Sequence, residues 1–118
     1  MRYVVAIAAL FLGSAGCTAD QVISLNWSLG ARTCEAAGVA SVSVTSSDGS
    51  VNCDDPSDCN VSCLLGNGDA NLPVYVGSGT TEITVTGLSA SGQALYRGTA
   101  PVDQSTAALS VTLDWIGG

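Results

Sequence analysis

After its first twenty residues the chain alternates apolar and polar positions with a period of two. Ile23, Leu25, Trp27 and Leu29 are separated by Ser24, Asn26 and Ser28, the pattern of a strand with one face buried. Gly30 ends this run, and a loop through Arg32, Cys34 and Glu35 leads to Gly38. Ala40, Val42 and Val44 mark a second strand, closed by the turn signal Ser46-Ser47-Asp48-Gly49, and Val51 opens a short third. Cys59, Val61, Cys63 and Leu65 alternate again, between the turns Asp54-Asp55-Pro56-Ser57-Asp58 and Gly66-Asn67-Gly68-Asp69. Pro73-Val74-Tyr75-Val76 reads as an edge strand, because proline has no donor for a ladder. Leu109, Val111, Leu113 and Trp115 end the chain in its most regular alternation.

Between these lies the most legible stretch, Thr80 to Ala100, in which Ile83 and Val85 alternate with Thr84 and Thr86 up to Gly87. The polar loop Ser89-Ala90-Ser91-Gly92 makes this a β-hairpin, with a glycine available for positive φ. A four-residue turn places Leu88 opposite Gln93, Val85 opposite Tyr96 and Gly87 opposite Ala94. It also sets Glu82 diagonal to Arg97, an exposed ion pair worth at most about 1 kcal/mol. A slip of one residue would exchange the faces and bury Leu95 instead.

About seven short strands with close turn signals and no helix beyond the amino-terminal segment predict one antiparallel, all-β domain, a two-sheet β-sandwich spanning residues 22–118. The run from Gly77 through Val85 to Gly92, centred on ITVTGLSASG, resembles the closing half of immunoglobulin-like and transthyretin-like modules of bacterial cell surfaces. The layout NWSLG, Cys34, Cys63 and hairpin is similar to that of small uncharacterised bacterial lipoproteins. The resemblance implies an immunoglobulin-like or transthyretin-like fold and an envelope location; these families share no activity, so it implies no chemistry.

The amino terminus changes what belongs to that domain. Arg2 precedes the apolar run Val4 to Leu12, and Gly13-Ser14-Ala15-Gly16 follows, the plan of a secretory signal over residues 1–16. Nine apolar residues rise only about 14 Å as a helix, too short for a hydrocarbon core of roughly 30 Å. Ser14-Ala15-Gly16-Cys17 resembles the lipobox of bacterial lipoproteins, which implies that Cys17 carries lipid and becomes the first mature residue. Leucine is usual where Ser14 stands, so ordinary signal-peptide cleavage to a soluble periplasmic or secreted protein is the alternative. Residues 17–21 then form a tether that reaches roughly 15 Å when extended, holding the domain close to a bilayer, expected to be the outer membrane.

Removing Cys17 from the five cysteines leaves Cys34, Cys53, Cys59 and Cys63, an even number suited to an oxidising compartment. On one extended strand Cys59 and Cys63 would lie roughly 13 Å apart, beyond a disulfide's reach. That disfavours Cys34–Cys53 with Cys59–Cys63; of the other two pairings, Cys53–Cys59 across the Pro56 turn with Cys34–Cys63 joining strands is preferred. A zinc site lacks paired close spacing and histidine. Cleavage moves the formal charge from −7 to −8 by removing Arg2, leaving Arg32 and Arg97 as the cations. Such a surface fits neither nucleic acid nor electrostatic adhesion to anionic lipid.

With no histidine and no lysine, no Ser-His, Cys-His or Ser-Lys pair exists, and the chain is expected not to be an enzyme and to need no cofactor. The acidic loop of Asp48, Asn52, Asp54, Asp55 and Asp58 offers oxygen ligands without EF-hand spacing and reads as a solvated turn. Trp27 and Trp115 fall in phase with apolar neighbours and read as core. Tyr75, on the edge strand between loops, reads as a half-buried edge residue, with an exposed binding aromatic as the alternative. The leading expectation is a noncatalytic envelope lipoprotein that serves as a structural or protein-interaction module. The alternative is a glycan-binding module that uses Tyr75 with Asp54, Asp55 and Asp58. An exposed tryptophan beside two carboxylates would favour the glycan, and edge-strand pairing the protein partner.

The anchor is directly testable. The mature protein is expected to partition into the detergent phase of a cloud-point extraction, and Cys17→Ser to stay in the aqueous phase without the mass of the acyl chains. Equal partition and equal mass of the two proteins would exclude lipidation at Cys17.

Overall fold

A computed structural model describes residues 21–54, 58–67 and 70–117; the signal segment, Cys17, Asp55 and most of the tether lie outside them. The described residues form β1 (Gln21–Ser28), α1 (Cys34–Ala37), β2 (Ser41–Ser46), β3 (Asn60–Ser62), a 3-10 turn (Cys63–Leu65), β4 (Leu72–Val76), β5 (Glu82–Leu88), β6 (Ala94–Pro101), β7 (Ala108–Thr112) and β8 (Asp114–Trp115). They make a five-stranded sheet in the order β8-β6-β5-β2-β3 and a three-stranded sheet in the order β4-β1-β7. Ile23, Leu25 and Trp27 from β1 join Val74, Val76 and Val111 in one core with Val42, Val44, Ile83, Val85 and Tyr96. Each aliphatic side chain so enclosed contributes roughly 1.5–3 kcal/mol. The domain is a small two-sheet sandwich, as the alternation predicts.

The sheets are not wholly antiparallel. β1 and β7 run parallel, from Ser24 opposite Ala108 to Ser28 opposite Thr112. The cause lies in where the chain changes sheets. β6 ends beside the start of β1, and the loop after it crosses there, where the Gln21 amide donates to the carbonyls of Asp103 (2.8 Å) and Thr106 (2.6 Å). A strand leaving that corner on the far side of β1 can only run in the direction of β1.

The β5–β6 hairpin forms with a register two residues from the expected one. Val85 stands opposite Gly98, Thr86 opposite Arg97 and Gly87 opposite Tyr96. The loop closes one residue further along β5, on the same Gln93, with Ser89 N–H donating to Gln93 C=O at 2.8 Å, the reverse bond going to Ser89 Oγ at 3.1 Å, and Gly92 at φ +90°. Leu95 becomes the extra residue of a bulge between the Gly87–Tyr96 and Leu88–Ala94 pairs. A two-residue shift preserves the faces, so Val85 and Tyr96 are still buried. It also moves Glu82 opposite Pro101, and the diagonal ion pair with Arg97 is not formed.

Residues 34–37 form a helical turn where a loop is expected. Thr33 Oγ1 accepts from Ala36 N–H at 3.0 Å, and Gly38, at φ +75°, caps the other end. In place of a third strand at Val51, Asn52 exchanges two backbone bonds of 2.8 Å with Tyr75. The alternation through Cys63 breaks as the chain winds into the 3-10 turn, which leaves Leu64 and Leu65 exposed.

Both expected disulfides are formed. Cys34–Cys63 joins the helical turn to the end of β3, and Cys53–Cys59 closes the acidic loop. By loop entropy they constrain the unfolded chain by about 3.5 and about 2 kcal/mol. Beside the first lies Trp27, fully buried, with its indole N–H donating to Cys63 C=O at 3.0 Å and its backbone N–H to Gly66 C=O at 2.7 Å. A β-carbon on Gly66 would stand 2.5 Å from the indole ring. Gly66→Ala is therefore expected to lower the free energy of unfolding in urea by about 3 kcal/mol, the upper part of the overpacking range. Gly92→Ala, with open space around it but a positive φ, should cost only about 1 kcal/mol. Equal stability of the two variants would mean that Trp27 is not seated against Gly66.

Candidate functional site

The strands give the domain two poles. At the entry pole, where β1 begins at Gln21, lie the end of β2, the 77–81 turn and the 102–107 loop. β1 carries seven residue steps, roughly 23 Å, to the far pole. There lie Leu29, α1, the hairpin loop and β8.

Asp48 organises the entry pole. Its Oδ1 accepts from Ser50 Oγ (2.6 Å), Thr80 Oγ1 (2.8 Å), Ser50 N–H (3.1 Å) and Ser46 Oγ (3.1 Å). Thr80 is buried, so this carboxylate satisfies a hydroxyl removed from water. These donors, Ser50 first and Thr80 next, hold the carboxyl down at about 2. Asp103 is lowered in the same way by Ser105 and Thr106. Both are turn-forming carboxylates whose Oδ1 is committed to the turn. Among the described residues no group of three or more His, Cys, Asp or Glu is placed to hold a metal.

The expected ligand-binding set is only partly assembled. Tyr75, half-buried on β4, donates its hydroxyl to Asp54 Oδ2 at 3.3 Å, and the Asp54 charge raises the phenol above its ordinary range. Asp58 turns away and accepts from Asn60 N–H at 3.1 Å. Asp55 lies outside the described residues. Nor does β4 offer its edge to another strand. Asn52 takes the outward N–H and C=O of Tyr75, and Pro73, two residues earlier on the same side of the strand, has no N–H. The outer strands of the five-stranded sheet are three residues (β3) and two residues (β8) long, and the second edge of the three-stranded sheet is the five-residue β7.

Trp115 departs most from expectation, being 61% exposed. The Leu109-to-Trp115 alternation is one run in sequence and two strands in space. Leu113 N–H still donates to Ser28 C=O of the three-stranded sheet, whereas Trp115 pairs with Tyr96 of the five-stranded one. Directly opposite residues share a face, so Trp115 faces inward like Tyr96. The five-stranded sheet overhangs the three-stranded one, however, and β8 at its rim has no strand above it. Trp115 stacks edge-to-face on Tyr96, with ring centroids 5.4 Å apart. Leu29, Arg32 and Ala37 complete an open cleft of about 590 Å³, inside the range of roughly 300–1,000 Å³ of small-ligand sites. Arg32 is fixed at its backbone, its N–H donating to Leu29 C=O at 3.4 Å. Asp114 lies on the outer face opposite Arg97, so Arg32 is the charged residue lining the cleft.

No family model matches the chain, and neither the curated proteins nor the solved structures contain a significant match.

Asp48 sets an acid limit on stability. Its carboxyl titrates lower in the folded than in the unfolded chain, so the stabilisation is present above about pH 4 and is lost as pH falls toward about 2. Asp48→Asn is expected to be less stable than wild type at pH 6, with the difference in urea midpoint shrinking between pH 4 and pH 2. A difference that stays constant across that window would mean that the charge of Asp48 contributes nothing.

Proposed function

We propose that this chain is a noncatalytic binding module of the bacterial cell envelope, held to a membrane by lipid on Cys17 and engaging its partner at the far pole. The observation that carries the reading is polarity: the tether enters at Gln21, while the aromatic cleft and the exposed Ile116 stand at the opposite ends of the strands. A partner reaching the cleft would meet the face turned away from the bilayer. The two disulfides are in keeping with an exported protein. Between the two kinds of partner, the exposed Trp115 supports a glycan, with Arg32 and not a pair of carboxylates beside it. The edges of β3, β4 and β8 are short or occupied, which leaves the five-residue β7 as the edge to which a protein could add a strand.

The test places a photo-reactive residue at Ile116 or, at the entry pole, at Gln104, in the lipidated protein in its own cell envelope. Adducts of protein or glycan mass are expected from position 116 and not from position 104. Adducts from position 104 alone, or from neither, would overturn the reading.

A further inference from the structure

Resting on that reading, we infer that the cleft of Trp115, Tyr96 and Arg32 is a binding site for an acidic sugar, a pyranose ring carrying a carboxylate. A solvent-exposed tryptophan braced by a second aromatic ring offers a flat, rigid apolar face. The C–H face of a pyranose is a flat apolar surface on an otherwise hydrated molecule, so an open cleft suits it better than a closed pocket would. The lining is otherwise aliphatic, from Leu29 and Ala37, and its charge comes from the guanidinium of Arg32, which can bind a carboxylate through two parallel N–H bonds.

Charge complementarity narrows the ligand. The chain is acidic overall, yet Asp48, Glu82 and Asp103 stand at the entry pole. At the far end Glu35 on α1 and Asp114, which faces outward beside Arg97, balance the two arginines Arg32 and Arg97. A sugar carboxylate in the cleft therefore meets Arg32 with the densest acidic cluster at the other end of the domain. An acidic peptide has the same charge, but β8 gives its backbone only two residues to pair with. Stacking of a ring on Trp115, with the acid on Arg32, uses every feature of the cleft.

Trp27 is fully buried and Trp115 exposed, so acrylamide quenching of tryptophan fluorescence in the mature chain reports on the cleft. The probes are trigalacturonate and a mannuronate trisaccharide, their fully methyl-esterified forms, and a hexaglutamate peptide. Either free acid is expected to shield Trp115 and to bind roughly tenfold more tightly than its ester, the worth of one charge-assisted contact. Arg32→Gln should reduce the acid to the affinity of the ester, Arg32→Lys should recover part of the difference, and Trp115→Ala, which removes the reporter and is therefore titrated by calorimetry, should abolish binding of both. Both positions, 32 and 115, are exposed, and an unchanged far-UV circular dichroism spectrum checks the fold of all three variants. Failure of both acids to bind, equal affinity for acid and ester, or binding unaffected by Trp115→Ala would overturn the proposal. Binding of hexaglutamate alone, with the same dependence on Arg32 and Trp115, would overturn the sugar and leave the binding module standing. Failure of every probe together with no crosslink at position 116 would remove both.

Discussion

The seat of Trp27 is the constraint on which the remaining geometry depends. Its side chain rises from the central strand of the smaller sheet and ends against Cys63 and Gly66, at the close of a strand of the larger one. The two sheets are thus joined by a polar bond as well as by apolar packing, and a buried indole N–H left without its acceptor would cost about 1–3 kcal/mol. Cys63 is also bonded to Cys34, which begins the helical turn whose Ala37 lines the far-pole cleft. A core tryptophan, a disulfide and one turn of helix form a continuous support beneath the surface to which binding is assigned.

Most of the fold was legible because period-two alternation is a local property. β1, β2 and β5 follow from it, the edge character of β4 follows from Pro73, and reach removes one of the three cysteine pairings. Properties set by contacts between distant segments were not legible. The hairpin register depends on whether Ser89 bonds Gln93 across a tight loop or remains part of a longer one, and the polar loop residues suit both. The direction of β7 is decided by the crossing at Gln21. The helical turn did leave a signal, Thr33 ahead of it and Gly38 behind, which the surrounding strand pattern hid.

The site was less legible than the fold for a related reason. Alternation tells which face of a strand a residue occupies, not whether anything covers that face. Trp115 is on the inward face, as its phase implies, and is exposed because β8 overhangs a sheet of three strands. Arg32 carries no pattern at all and takes its place from the Leu29 turn and the helix behind it. The acidic loop drew attention by composition, yet the best-connected carboxylate in that region, Asp48, commits its Oδ1 to the turns around it.

The parallel pairing of β1 with β7 has a mechanical consequence. A chain held at its amino terminus and gripped beside Trp115 is loaded at the start of β1 and just past the end of β7. Tension then runs along the two strands in opposite senses, shearing the five register pairs from Ser24–Ala108 to Ser28–Thr112 together. Antiparallel neighbours loaded at one shared end would instead open one pair at a time. The topology suits a domain that must stay folded while pulled between a surface and whatever it holds.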